Sequence, residues 1–90
     1  MRDKVAKIYF LEKNYKKAEE IFKKLFTMEE KQSQKDEYAS YLARVNALLN
    51  NPDAAMFYVK EIKDKKVFQK TFFAVAQNFL ANAVDRKSVV

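Results

Sequence analysis

The chain has 90 residues, 49% of them hydrophobic, and a formal net charge of +6, a size that fits one domain with a single shared core. It contains no Gly, one Pro, no Cys and no His, which removes disulfides, thiolate nucleophiles, imidazole bases and the usual zinc ligands together. Sandwiches, barrels and phosphate-cradling loops need residues that tolerate positive φ in tight turns, so helices joined by short turns remain.

From Asp3 to Lys13 the apolar residues Val5, Ala6, Ile8 and Tyr9 recur at helical spacing and define a first helix. Asn14 then serves either as the left-handed residue that closes it or as the N-cap of the next helix. A second helix follows from Tyr15 to about Phe26, with Ala18, Ile21, Phe22, Leu25 and Phe26 on one stripe and Lys and Glu opposite. Residues 28–35 have no periodicity and read as the longest loop, with Ser33 and Asp36 as a capping-type start for a third helix. That helix carries Ala39, Leu42, Ala43, Val45, Asn46 and Leu49, and Asn50, Asn51 and Pro52 stop it and start a fourth. The fourth runs from Pro52 to about Lys63 and buries Ala55, Val59 and Ile62. After the polar break at Asp64, Lys65 and Lys66, a fifth helix is expected to present Phe68, Phe72, Val75, Ala76, Phe79, Leu80 and Ala83 as one apolar face and to end near Asp85. Residues 86–90 are expected to be a frayed tail.

Lysines dominate both ends of the chain, and the stretch with Asp36, Glu37, Asp53 and Glu61 between them is mildly acidic. Such a balance suits either an acidic partner or plain solubilisation of amphipathic helices. Lys4, Lys7, Glu12 and Lys13 interrupt any signal-peptide run, so a cytoplasmic chain without a membrane span is expected. Catalysis would have to use Lys, Asp, Glu, Tyr or Ser alone, and paired acids such as Glu19 and Glu20 lie on a charged face where solvated surface is the ordinary role. No enzyme, cofactor or metal is expected.

The chain repeats itself. Val5, Ala6, Tyr9, Ala18, Phe22 and Leu25 move by 37 positions onto Leu42, Ala43, Asn46, Ala55, Val59 and Ile62, keeping residue class everywhere except at Asn46. Ala39, Leu42, Ala43 and Asn46 move by 33 onto Phe72, Val75, Ala76 and Phe79. Periods near 34 mark helix-turn-helix repeats, and the small residues at Ala6, Ala43, Ala18 and Ala55 let paired helices approach closely.

With these residues in these places the chain resembles the tetratricopeptide repeat family over residues 2–82. It departs from the family pattern where Lys13 and Asn50 replace the Gly between helices and where the Pro that closes each repeat is missing. The resemblance implies an all-α fold of antiparallel hairpins stacked as a short right-handed superhelix of five helices. Residues 1–85 would form one domain, with repeat one at 1–32, repeat two at 36–69 and a terminal helix at 67–85.

The resemblance further implies a concave groove lined by the first helix of each unit, where a peptide or helix of a partner protein would lie. The positions carried over include Lys7, Phe10, Tyr41, Arg44, Leu48, Lys70, Phe73 and Gln77, beside Asp3, Leu11, Glu37, Ser40 and Leu80. Aromatic side chains beside cations are the usual material of binding hot spots, and the same residues could instead pack one helix against the next. A non-catalytic adaptor or chaperone-like module is therefore expected. The alternatives are a basic nucleic-acid-binding domain, and a homo-oligomerisation domain acting through the terminal helix.

Overall fold

The computed structural model describes residues 2–88, and the side chains of residues 4–81. Among the described residues there are five α-helices and no strand: α1 Arg2–Leu11, α2 Tyr15–Met28, α3 Gln32–Leu48, α4 Pro52–Glu61 and α5 Lys65–Ser88. α5 starts earlier than its sequence pattern suggests because Asp64 caps it, its Oδ1 accepting from Val67 N–H at 3.0 Å. The helix continues through Ser88, past the expected end at Asp85 and into the expected tail, whose Val89 and Val90 lie outside the described residues.

The expected loop at 28–35 shrinks to residues 29–31. Glu29 makes this possible, since its Oε1 accepts from the N–H groups of Glu30 and Lys31, both at 3.1 Å, and holds the turn with one side chain. Ser33 is not a cap: Lys31 holds the N-cap position with extended backbone, and Lys35 N–H donates to its carbonyl at 2.9 Å.

Each hairpin reverses through the same hydrogen-bonded motif. After α1, Asn14 N–H donates to Tyr9 C=O at 2.9 Å and Lys13 N–H to Phe10 C=O at 3.1 Å; after α3, Asn51 N–H donates to Asn46 C=O at 2.8 Å and Asn50 N–H to Ala47 C=O at 3.1 Å. These are two Schellman caps 37 residues apart, and the residue each needs in the left-handed region is Lys13, with φ 65°, and Asn50, with φ 62°. The left-handed residue of the first turn is thus Lys13, while Asn14 takes the N-cap position. A left-handed Lys carries a steric cost that Gly lacks and Asn largely escapes. Lys13→Gly is accordingly expected to stabilise the fold by about 0.5–1 kcal/mol, whereas Asn50→Gly should leave the denaturation midpoint nearly where it was. A fall in midpoint for Lys13→Gly in urea titrations would contradict this account of the turn.

The core runs along α3, which packs against α2, α4 and α5 and buries Leu42, Ala43, Val45 and Asn46 completely. Ala6, Ala18, Phe22, Ala55 and Val59 are also fully buried, as the alanine-notched hairpin seams require. Val5 and Ile8 stay exposed although Leu42 and Val45, 37 residues later, do not, because α3 has neighbours on both sides and α1 packs mainly on α2. Tyr58 is buried with its ring edge-on to Phe26 at 5.7 Å, and burial first, then the nearby Glu19 carboxylate, raise its phenol above the usual tyrosine value. Asn46, the position that breaks class at the 37-residue offset, turns its Nδ2 onto Leu42 C=O at 2.8 Å, and its buried Oδ1 has no hydrogen-bond partner.

α5 corrects the expected apolar face. Its side toward α3 carries Val67, Thr71, Val75 and Asn78: the Thr71 hydroxyl lies 2.6 Å from the Ser40 hydroxyl, and Asn78 Nδ2 donates to Ala47 C=O at 2.7 Å. Phe68, Phe72 and Leu80, expected on the core side, are exposed. Two polar pairs at one offset, 40 with 71 and 47 with 78, also fix direction, since contacts that advance together mean that α3 and α5 run parallel.

Candidate partner-binding face

α1, α3 and α5 share one side of the molecule, and the contacts of α1 with α3 advance in the same parallel sense, from Lys7 with Glu37 to Phe10 with Tyr41 and Arg44. The Phe10 and Tyr41 rings meet edge to face at 5.5 Å, and the Arg44 guanidinium lies 5.2 Å from the first ring centre and 5.6 Å from the second. Lys7 Nζ sits 5.8 Å above Tyr41 and 3.2 Å from Glu37 Oε1. Four of the residues expected in a groove, Lys7, Phe10, Tyr41 and Arg44, are therefore one cluster.

That cluster serves packing as well as surface. Tyr41 stacks on the buried Phe22 at 4.7 Å with the rings 7° from parallel, and Phe10 also touches Tyr15 edge-on at 5.8 Å. The two aromatics hold α1 to α3 across a gap that the backbones leave open, and Arg44 lies over them with part of its surface in water. Cation–π contacts at such partly exposed positions are worth about 0.5–1 kcal/mol each, and an exposed ion pair such as Lys7 with Glu37 less still.

Two depressions flank Arg44. One, of about 330 Å³, is lined by Ser33, Glu37, Ser40, Tyr41, Arg44, Val67 and Lys70. The other, of about 180 Å³, is lined by Phe10, Arg44, Ala47, Leu48, Ala74 and Asn78. Of the expected groove residues, Lys70 and Leu48 thus join the cluster from opposite ends, while Phe73 and Gln77 are exposed and line neither depression. The reason lies in α5, whose rotation sends the Val67, Thr71 and Asn78 side toward α3 and carries Phe73 round into solvent, 63% exposed.

Val67, Ala74 and Asn78 escaped sequence reasoning because they looked like ordinary turns of an amphipathic helix. A signal was present in retrospect: Ser40 and Ala47, like Thr71 and Asn78, stand one heptad apart, the spacing of a continuous interhelical seam.

Arg44 and Lys70 make this face cationic around an aromatic floor, with Glu37 the acidic side chain lining the larger depression. Among the described residues no group of three or more acidic side chains could hold a metal ion, and no helix is long and apolar enough to cross a membrane. Compared with known proteins, the chain matches no protein-family model, no curated protein and no solved structure.

Proposed function

We propose that this chain is a non-catalytic protein-binding module, an adaptor that holds an acidic helical or extended segment of another protein against α1, α3 and α5. In this reading two tetratricopeptide-like hairpins and a terminal helix stack as a short right-handed superhelix, and the shared face of α1, α3 and α5 is its groove. The single observation that carries the proposal is Arg44, which lies over Phe10 and Tyr41 and borders both depressions. A guanidinium fixed over two rings can fork onto a carboxylate while the rings beside it receive apolar side chains.

The arrangement of helices lends support of its own. The turns after α1 and α3 are the same cap at a 37-residue interval, α1, α3 and α5 run parallel by their contacts, and no extensive contact joins α1 to α4 or α5 among the described residues. Side-by-side hairpins would have those properties, and among them the lack of extensive contact between α1 and α4 or α5 is the one that favours a row over a bundle closed around one centre.

The test separates capture from folding. Arg44→Ala with Lys70→Ala should weaken a partner isolated on the wild-type chain at least tenfold, as loss of a central charged anchor does, while the melting curve moves only a few degrees. Unchanged affinity would overturn the groove. Binding of nucleic acid instead would appear as affinity for any polyanion that falls steeply with salt.

A further inference from the structure

α5 is held to the rest of the chain unevenly along its length. At its start the corner is pinned: Asp36 accepts from the N–H groups of Lys63 and Asp64, both at 3.0 Å, and Asp64 in turn caps the helix through Val67 N–H. Beyond that corner little apolar surface is committed. Among the described side chains of α5 only Thr71 and Val75 are buried, whereas the much shorter α4 buries Ala55, Tyr58 and Val59. Phe68, Phe72, Phe73 and Leu80, the large apolar side chains that could have fastened α5, stay exposed.

What holds the middle of the helix is largely polar. The Ser40 and Thr71 hydroxyls lie 2.6 Å apart, and Asn78 Nδ2 donates to Ala47 C=O at 2.7 Å. Such bonds add little net stability, because water offers the same partners once the helix has left. Val67, Phe68, Thr71, Phe72, Phe73 and Val75 are also weak helix formers, so α5 loses its backbone hydrogen bonds when it comes off α3.

α5 supplies one wall of each depression beside Arg44, through Val67 and Lys70 in the larger and Ala74 and Asn78 in the smaller. We infer that α5 is a hinged strap, which leaves α3 about the pinned corner at residues 62–64 while the other helices stay folded, and that both depressions exist only while the strap is closed. The consequence for partner capture rests on the groove proposed above, and the undocking itself does not.

Native-state hydrogen exchange of the chain alone is the test. Amides of residues 71–79 should exchange at least about tenfold faster than those of Leu42, Ala43 and Val45, and low urea concentrations should change their rate less than they change the α3 rate, as a local opening requires. The chain has no cysteine, and Ser40→Cys with Thr71→Cys puts two sulfurs where the hydroxyls already stand 2.6 Å apart, near the bond length of about 2.05 Å that a disulfide needs. Oxidising that variant should slow the 71–79 amides toward the α3 rate, and reducing it should restore fast exchange. Asn78→Ala, which removes the donor to Ala47 C=O, should speed the same amides several-fold and leave α4 unchanged. Equal exchange of α5 and α3 in the unsubstituted chain overturns the inference, and so does fast exchange that survives oxidation, which would come from fraying within a docked helix. No partner enters the measurement, so the strap can fail while the groove stands, and the groove can fail in the Arg44→Ala with Lys70→Ala variant while the strap stands.

Discussion

Phe22→Ala is expected to lower the free energy of unfolding by about 3–5 kcal/mol, a large part of the roughly 5–15 kcal/mol available to a domain of this kind. Phe22 is fully buried, stacks on Tyr41 at 4.7 Å and lies 6.3 Å from Tyr38. Truncation removes the ring that joins the first hairpin to α3 and leaves a cavity whose walls come from two hairpins, which cannot collapse without moving α2. Phe22→Leu keeps most of the volume and should cost about 1–1.5 kcal/mol. Tyr41→Ala should fall between the two, and this makes Tyr41 unsuitable for testing the groove. Urea denaturation followed by circular dichroism decides the matter, and a midpoint for Phe22→Ala within about 0.3 M of wild type would mean that the stacked rings contribute little.

Asp36→Ala is the second large effect, expected at about 2–4 kcal/mol from the loss of several hydrogen bonds to a charged group. Asp36 is only 3% exposed. Its Oδ1 accepts from Lys63 N–H at 3.0 Å and Gln32 Nε2 at 2.8 Å, and its Oδ2 accepts from Asp64 N–H at 3.0 Å. A carboxylate on the first turns of α3 therefore clamps the corner between α4 and α5, 27 residues later in the chain. Asp36→Asn keeps one good acceptor and should lose about half as much. The specific readout is amide exchange: Lys63 and Asp64 should lose protection in Asp36→Ala before α1 and α2 do. Uniform loss across all helices would show that the clamp acts only through global stability.

This clamp bears on the groove and on the docking of α5, because the corner it holds sets the angle at which α5 leaves α4. Lys70 reaches the larger depression, and Phe72 faces away from it, only while α5 keeps its Val67, Thr71 and Asn78 side on α3. Weakening the corner should therefore disturb the groove and the α5 seam together, although neither contains Asp36.

Much of the candidate face was legible because a helical period places residues on faces without any tertiary information. Lys7 and Phe10, or Tyr41, Arg44 and Leu48, sit on one side of a helix by spacing alone. Their mutual contact was open in the sequence, where groove lining and interhelical packing fit the same positions. Phe73 and Gln77 were extrapolated through a shift of 33 residues on a helix whose actual rotation depends on the Ser40 with Thr71 and Asn78 with Ala47 hydrogen bonds. A polar interhelical seam gives no apolar periodicity, so α5 was oriented by its most hydrophobic stripe, of which Val75 and Phe79 reached the core while Phe68, Phe72 and Leu80 face water.

Asp36 escaped for a related reason: a carboxylate near a helix start reads as a local cap, and local spacing carries no trace of a partner 27 residues away. By itself the sequence determined the helical class, the hairpin turns and the alanine-notched seams, since backbone conformation and helical period are set by neighbours within a few residues. The tertiary structure alone decided how far each helix runs, which way α5 is rotated and which aromatics are shared between core and surface. Those features depend on hydrogen bonds and ring contacts between residues far apart in the chain, and their geometry exists only once the helices have packed.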